Sequence, residues 1–333
     1  MDLLRYINSE DRGYFNAFMG TNGLKLCNYT IYEVYNDPKK QLEVAQKLQE
    51  VCPSDFVYAM DDGNIFCEVL CVPLMKKHDD FPMVTDHPVK NIEDLKAMKI
   101  PNPYEEKRMK TNLETMKLLS DNFDKPLKVS LQGPFTLATQ LAGFANVAKS
   151  IIKNKEFLNE LLKFTREVVL VYAKALIEAG VDYISIAEPS SVILSGERFD
   201  TYVVEGLNYI YNNINCIKGL HICGDTTNLL DSMLKCNLNS ISLDQIMDLS
   251  KVIKRIPENI VLLGNIDPIN ILGKGTVEEV EKETIRIRKS MKDHKNFILA
   301  FGCTCLNDTP IENLVKVSEI ARLSKEEFNK KQA

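Results

Sequence analysis

The chain has 333 residues, of which 45% are hydrophobic, and its 41 basic and 46 acidic side chains leave a net charge of −5 at pH 7. That charge balance gives no reason to expect a nucleic-acid partner, and the hydrophobic fraction is ample for a large buried core. The first residues lack a signal peptide, and no segment approaches the ~18 uncharged apolar residues that a membrane-spanning helix needs. We therefore expect a cytoplasmic enzyme without a membrane or nucleic-acid partner, whose nine cysteines are mostly reduced.

The first half of the chain predicts secondary structure in isolated segments. A helix is expected over 38–51 and a strand over 55–62. A second strand over 128–134 leads into a helix near 135–143. The region 68–103 is rich in proline and charge, which indicates an insertion or a β-hairpin that caps the fold.

The second half alternates regularly between apolar, β-rich segments and amphipathic helical segments. Strands are expected over 181–188, 218–223, 240–244, 260–267 and 297–303. Helices are expected over 155–179, 197–213, 226–236, 246–255, 276–292 and 310–329. Gly180 is a good helix C-terminus, Thr276 a plausible N-cap, and Pro310 suits a first helical position.

Strands that alternate with helices and are apolar on both faces form parallel sheets covered by helices. Seven strands can be identified, and an eighth is expected in the first half. We predict an α/β fold, a single (β/α)8 TIM barrel over residues 1–333 with an N-terminal extension or insertion. An open doubly wound sheet is the alternative, but no glycine-rich phosphate-binding turn follows any strand.

Nearly every predicted strand ends in a side chain that can do chemistry. In a parallel barrel all of these ends open on one face, and that face holds the active site. Some of these residues, Asp244 and Asp267 in particular, are also suited to capping the helix that follows. The set consists of Asp61, Asp62, Gln132, Glu188, His221, Cys223, Asp244, Asn265, Asp267 and Cys303.

Two of these residues have the spacing of metal ligands. His221 and Cys223 are two apart in a strand, so their side chains point to the same side. Cys303 ends a later strand 80 residues further along the chain and can complete a tripod. An imidazole and two thiolates suit Zn²⁺ and leave a fourth position open for a substrate. Spacing alone leaves Cys305 as a competitor of Cys303, because the two are also two residues apart.

Several segments carry a resemblance to a known family. Over roughly residues 55–325, the sequence resembles the uroporphyrinogen decarboxylase-like superfamily and, within it, corrinoid-dependent methyltransferases such as methylcobalamin:coenzyme M methyltransferases. The segment 1–54 matches poorly. The segments that carry the resemblance are GPFTLATQLAG (133–143), LHICGDTTNLLDSM (220–233), SLDQIMDLSKVIK (242–254), LLGNIDPINIL (262–272), FGCTCLNDTPIENL (301–314) and, more weakly, DDGNIFCEVLCVP (61–73).

The resemblance implies a TIM barrel with zinc bound by His221, Cys223 and Cys303, and it selects Cys303 over Cys305. It also implies that zinc binds and deprotonates an acceptor thiol, which takes a methyl group from a corrinoid on a separate protein.

Six further residues are expected to support this chemistry. Glu188 is expected to approach the metal or hydrogen-bond the substrate, and Asn265 and Asp267 to orient His221. Asp61 and Asp62 are expected to contact the substrate or the corrinoid, and Gln132 to line the pocket.

The alternatives concern direction and reaction type. The same site can run in reverse, removing a methyl group from a methyl ether or methylated thiol and delivering it to a Co(I) corrinoid. A metal-free uroporphyrinogen decarboxylase is less favoured, because the arginine-bearing RQAGRY motif of those enzymes is missing and only Arg5 and Arg12 precede residue 100. A binding partner of the corrinoid protein with a decayed site is the non-enzymatic alternative. The family's usual Cys-Gly-Ile-Pro-like turn is replaced by residues 303–306, CTCL, which leaves open an acceptor other than coenzyme M.

Overall fold

Ten strands occur in the part of the chain that the computed structural model describes, residues 1–19, 21–60, 63–75 and 81–332. In chain order they are β1 (Phe15–Asn16), β2 (Val57–Tyr58), β3 (Leu74–Met75), β4 (Met83–Val84), β5 (Leu127–Gln132), β6 (Tyr183–Ala187), β7 (Ile217–Ile222), β8 (Ser240–Leu243), β9 (Val261–Ile266) and β10 (Phe297–Phe301). Eight of them form one sheet. The pair β3 and β4 forms a separate antiparallel hairpin inside the segment predicted to be an insertion or hairpin cap.

The eight-stranded sheet is a parallel barrel. Its strands follow chain order from β2 and β5 through β10, and β10 then pairs in parallel with β1. The edges β1 and β2 are joined through Asp55, whose N–H donates to the Phe15 carbonyl at 2.9 Å and whose carboxylate accepts the Phe15 N–H at 2.8 Å. The predicted (β/α)8 barrel is confirmed, because a doubly wound sheet would reverse its strand order part-way. The expected eighth strand is β1.

Helices cover the outside of the barrel and connect its strands. They are α1 (Leu3–Tyr6), α2 (Leu24–Cys27), α3 (Ile31–Tyr35), α4 (Pro38–Val51), α5 (Ile65–Val69), α6 (Ile92–Ala97), α7 (Lys107–Asn122), α8 (Pro134–Ala142), α9 (Phe144–Lys153), α10 (Lys155–Glu178), α11 (Gly196–Phe199), α12 (Glu205–Asn212), α13 (Leu230–Met233), α14 (Leu249–Val252), α15 (Val277–Ser290), α16 (Ile311–Ala321) and α17 (Lys325–Gln332). None of the described helices is long and apolar enough to cross a membrane.

Several predicted helices differ in extent from the observed ones. The helix expected over 310–329 is two helices, α16 and α17, because Ser324 begins a new one: its hydroxyl accepts the Glu327 N–H and its own N–H donates to the Glu327 carboxylate. The helix expected over 197–213 contains a π-helical turn, Asp200–Val204, between α11 and α12. The helices expected over 226–236 and 246–255 are reduced to α13 and to α14 with a 3₁₀ turn.

The two ends of the barrel differ in composition. We call the end where the strands begin the base and the end where they finish the mouth. The base is closed by an apolar plug in which Leu3 and Ile7 pack with residues from the starts of the strands. At the mouth, the parallel register places Gln132, Ala187, His221 and Ser242 side by side on β5, β6, β7 and β8. Polar side chains therefore gather at the mouth.

Candidate metal centre

Three side chains from two distant strands meet at the mouth. His221 lies on β7, Cys223 follows that strand directly, and Cys303 follows β10. His221 Nε2 is 3.2 Å from Cys223 Sγ, which is 3.5 Å from Cys303 Sγ. All three donor atoms lie within 4.8 Å of one another, and each residue is partly exposed. The structure thus brings together the three residues that the sequence indicated as metal ligands.

The orientation of His221 is set by the neighbouring strand. His221 lies opposite Ser242 in the pairing of β7 with β8. Its Nδ1 is 3.2 Å from both the carbonyl oxygen and the hydroxyl of Ser242. Because a carbonyl oxygen only accepts, Nδ1 carries the proton, and the lone pair of Nε2 faces Cys223 and is free to bind a metal.

The loop that carries Cys223 is held by the neighbouring strand ends. Gly224, which has a φ of +86°, donates its N–H to Asp244 Oδ2 at 2.8 Å. Asn265 Nδ2 donates to the carbonyl oxygens of Asp244 and Met247 at 2.9 and 2.7 Å. These bonds fix the turn after β7 against the turn after β8, so Cys223 is pre-positioned before any ligand binds.

Burial and position distinguish Cys303 from Cys305 as a candidate metal ligand. Gly302 donates its N–H to the Ile266 carbonyl at 2.8 Å, and a Cβ at this position would lie 2.5 Å from the Gln245 nitrogen. The chain therefore passes close to the β8 loop, and Cys303 emerges beside Cys223. Cys305 is only 3% exposed and does not belong to the cluster.

The contact between the two thiols moves their pKa values in opposite directions. The hydrogen bond from Cys223, with a smaller contribution from His221, leaves the pKa of Cys303 well below its usual value, although burial opposes this shift. The same hydrogen bond and burial raise the pKa of Cys223. One of the two sulfurs therefore becomes a thiolate readily, as a metal-binding thiol must.

The donor set fits zinc. A tetrahedral zinc ion with Zn–S near 2.3 Å and Zn–N near 2.0 Å spaces its ligand atoms roughly 3.5–3.8 Å apart. The 3.2 and 3.5 Å separations found here are slightly contracted from those values. Two sulfurs and one imidazole are ligands that zinc prefers, and three protein ligands leave a fourth position for a substrate.

Glu188 lies behind the site rather than in it. Its side chain is 0% exposed. The carboxylate accepts the N–H groups of Phe135 and Thr136 and the Thr136 hydroxyl at 2.7–2.8 Å, and a Cβ at Gly133 would lie 2.3 Å from it. Burial raises the pKa of Glu188 to about 7, although these hydrogen bonds oppose the shift. The expectation that Glu188 approaches the metal or substrate is corrected: it anchors the first turn of α8.

The expectation that Asn265 and Asp267 orient His221 is also corrected, because Ser242 is the hydrogen-bond partner of His221 Nδ1. Asn265 instead holds the β8 loop. Asp267 accepts the N–H groups of Ile269 and Asn270 at 2.8 Å and so closes its own turn, which is the capping role that its position also allowed. Asp61 and Asp62 lie outside the described residues.

Two amide side chains near the tripod have oxygen atoms without partners. Gln132 lies in the same layer as His221, separated from it by Ala187, and Gln245 packs over Gly302 beside Cys303. Within the described residues, Oε1 of Gln132 and Oε1 of Gln245 are buried and accept no hydrogen bond. Both oxygens can accept a hydrogen bond from a bound substrate.

Ser242 and Gln245 were missed by the sequence analysis. The signal for Ser242 was available, since strand alternation places it on the same face as Asp244, two residues before it. Gln245 follows the strand, and only the three-dimensional structure brings it beside Cys303.

Comparison with known proteins places the chain in a family. The family model described as Uroporphyrinogen decarboxylase (URO-D) matches residues 18–323. The methylcobamide:CoM methyltransferase MtbA of Methanosarcina mazei is 34% identical over 248 residues, which cover 72% of this chain and 71% of the relative. The methylated-thiol–coenzyme M methyltransferase of the same organism is 27% identical over 88% of this chain and 79% of its own length.

A solved structure shares the fold. The structure of a methyltransferase from Methanosarcina mazei superposes with a TM-score of 0.87 and covers 100% of this chain and 98% of its own. At 23% sequence identity, this likeness establishes the barrel architecture and the arrangement of its elements, and nothing finer.

Proposed function

This chain belongs to the uroporphyrinogen decarboxylase (URO-D) family, and we propose that it is a zinc-dependent methyltransferase of that family. It moves a methyl group between a methylcobamide on a corrinoid-binding protein and a thiol or other small substrate. The observation that carries the proposal is the tripod of His221, Cys223 and Cys303, with its donor atoms within 4.8 Å of one another. The printed names of its methyltransferase relatives support the reaction class.

Each residue of the site has a defined task in this proposal. Zinc held by the tripod would supply Lewis acidity and favour the thiolate form of the substrate. Ser242 holds the His221 ring with Nε2 toward the sulfurs, and Asp244 fixes the turn after Cys223. The substrate thiolate would then form a C–S bond to the methyl group as the Co–C bond breaks, and the electron pair of the Co–C bond would remain with the corrinoid of the partner protein.

The reverse direction is a second candidate. It is favoured by the relative whose name specifies a methylated thiol as methyl donor. In this direction a zinc ion on the tripod would bind the departing sulfur or oxygen, and the methyl group would pass to a Co(I) corrinoid. Incubating the enzyme with Co(I) corrinoid and methylated thiols separates the two directions, because only the reverse reaction converts the absorption spectrum to that of methyl-Co(III).

A uroporphyrinogen decarboxylase is less well supported. Arg12 pairs with Glu10 and Asp55, close to the joint between β1 and β2. Arg5 lies on α1, the helix beside the apolar plug. Both N-terminal arginines are therefore at the base, away from the mouth where a substrate carboxylate would need them.

The proposal is tested by zinc content and methyl transfer in matched cysteine variants. We expect the wild-type protein, purified without chelator, to hold about one zinc per chain and to methylate a thiol from methylcobalamin. Cys223→Ser and Cys303→Ala should lose most of the zinc and the activity, whereas Cys305→Ala should keep both. Circular dichroism confirms that each variant is folded. A wild-type protein without zinc, or a Cys303→Ala variant with normal methyl transfer, would refute the proposal.

The cytoplasm is the compartment that we propose for this chemistry. All nine cysteines are free thiols in the structure, and the tripod needs reduced Cys223 and Cys303. A reducing compartment maintains both conditions.

A further inference from the structure

The base of the barrel carries a cavity of about 520 Å³ that the methyl-transfer proposal does not use. One wall is the segment around Arg12 and Tyr14, and another is the loop between α15 and β10. The beginning of α17 completes the rim near Lys325. The cavity therefore lies at the opposite end of the barrel from the tripod.

The charge of this base cavity is opposite to that of the whole chain. Acidic residues outnumber basic ones overall, 46 to 41. The cavity is lined by five basic side chains, Arg12, Arg288, Lys292, Lys295 and Lys325, and by two acidic ones, Glu10 and Asp293. Such a local excess of positive charge attracts anions.

The basic side chains are unequally neutralised. Arg12 is paired with Glu10 and Asp55, and Lys325 is paired with Asp11. Arg288 is 8% exposed and bonds only the backbone carbonyls of Ile320 and Leu323. No carboxylate among the described residues forms an ion pair with it, and burial lowers its pKa to about 10. Arg288 is thus a buried cation on the cavity wall that forms no direct ion pair with a described carboxylate, although the charge of Glu327 lies near enough to stabilise it.

Two exposed lysines face the same space without ion-pair partners. Lys292 and Lys295 lie on the loop between α15 and β10, and neither belongs to a salt bridge within the described residues. Their positive charges are therefore available to a ligand.

The floor of the base cavity is apolar and aromatic. Tyr14 and Phe328 line it and are almost fully buried, at 4% exposure each, and Phe297 and Leu299 complete it. The Arg288 guanidinium stacks at 4.0 Å over the Phe328 ring, which fixes both groups in place. A ligand that matches both features has an anionic part for the rim and a planar, weakly polar part for the floor.

We propose that the base cavity binds a phosphorylated ligand with a planar ring system, of the nucleotide class. Its volume of about 520 Å³ lies within the usual range of small-molecule sites. Lys292 and Lys295 meet the phosphate oxygens beside Arg288. The planar ring packs against the half-buried Phe297 ring, because arginine side chains already cover the rings of Tyr14 and Phe328. This site is independent of the methyl-transfer proposal, because its residues lie at the other end of the barrel from the tripod.

Isothermal titration calorimetry with AMP, ATP, adenosine and tripolyphosphate tests the proposal. We expect AMP or ATP to bind at least about tenfold more tightly than adenosine or tripolyphosphate, since each of those lacks one of the two matching parts. The variant Lys292→Ala/Lys295→Ala should weaken nucleotide binding by about tenfold or more. The control is Lys289→Ala, at a position on α15 that does not line the cavity, and it should bind as the wild type does.

Other results of the same titrations would contradict the proposal. If none of the four compounds binds, or if the double variant binds nucleotides as tightly as the Lys289→Ala control, the proposal is wrong. Tripolyphosphate binding as tightly as ATP would rule out the nucleotide class, because the aromatic floor would then contribute nothing. Circular dichroism, measured on the same variants, checks that the barrel remains folded.

Discussion

The mouth and the base of this barrel are built on different principles. At the mouth, partly exposed side chains are held by hydrogen bonds to neighbouring strand ends, and two amide oxygens among the described residues lack partners. At the base, Leu3 and Ile7 close an apolar plug, and Asp55 joins the first two strands of the barrel. Barrel enzymes generally place function at the mouth and stability at the base. Substitutions at the two ends should therefore affect different measurements.

The largest expected effect concerns stability, at Lys128 in the lower half of the barrel. Lys128 lies in register with Tyr183 of the plug and is 4% exposed. Its Nζ donates to Asn16 Oδ1 at 3.2 Å and lies 4.1 Å from the Tyr183 ring centre. Burial without an acidic partner lowers its pKa from 10.5 to about 7. The native state thus disfavours the protonated lysine, and this lowers the free energy of unfolding.

The variant Lys128→Met should raise the free energy of unfolding at pH 7 by on the order of 3 kcal/mol. The unfolded chain binds more protons than the native one between pH 7 and 10.5, the two pKa values of Lys128. Wild-type stability should therefore rise with pH through this window, and the advantage of the variant should shrink as pH approaches 10.5. Urea unfolding at pH 7 and 9.5 measures both effects.

The control for Lys128→Met is Lys110→Met, on the exposed surface of α7, which should change stability by less than about 0.5 kcal/mol. Zinc content should remain at the wild-type level in both variants. A Lys128→Met protein that is less stable than wild type at pH 7 would show that the lysine is a net stabiliser and would contradict this prediction.

The next largest effect is expected at the mouth, where Asp244 holds the turn that carries Cys223. Asp244→Ala removes the acceptor of the Gly224 N–H without touching a ligand. Substitutions of groups that orient metal ligands typically weaken metal binding by about 10- to 100-fold, and we expect a loss in that range. Competition with a chromophoric chelator measures the zinc affinity.

Asp267→Ala is the matched control for Asp244→Ala. Asp267 also ends a strand, but its carboxylate closes only its own turn. Zinc affinity should be retained in this variant. Equal losses in the two variants would mean that general loosening of the mouth, and not the Asp244 contact, controls metal binding.

The sequence predicted the strands in the second half of the barrel well because they are buried on both faces. The strands β1 and β2 are only two residues long, too short for a hydrophobic period. The strand β1 depends on pairing with β10 and on Asp55, contacts that connect residues far apart in the chain. No local pattern encodes such contacts, so β1 could be expected only from the number of strands that a barrel requires.

In the candidate site, too, local sequence patterns predicted some residues, whereas others depend on contacts between distant parts of the chain. The candidate ligands His221 and Cys223 followed from strand alternation, whereas the choice of Cys303 over Cys305 needed the family resemblance. In the structure, Cys305 is buried and lies outside the cluster. The partner of the His221 ring could not be predicted, because it depends on which residue of β8 lies opposite His221. That residue is Ser242, while the carboxylate of Asp267 is used by its own turn.

The smallest effect is expected at Gln132, where a substitution should weaken substrate binding at the mouth without changing metal binding. Its unpartnered Oε1 lies in the layer of His221, so we expect it to accept a hydrogen bond from the substrate. Gln132→Leu keeps the side-chain size and removes the acceptor. One lost hydrogen bond of about 1 kcal/mol should lower kcat/KM for methyl transfer by about fivefold, mainly through KM, with zinc content unchanged.

The control for Gln132→Leu is Gln140→Leu, a partly exposed position of α8, and it should leave kcat/KM unaltered. If Gln132→Leu lost zinc together with activity, Gln132 would belong to the support of the tripod, and the mouth would have no separate substrate-binding part on β5. If kcat/KM stayed at the wild-type value for every thiol that is a substrate, Gln132 would not contact the substrate. The recognition of the small substrate would then have to be sought on the side of Gln245, next to Cys303.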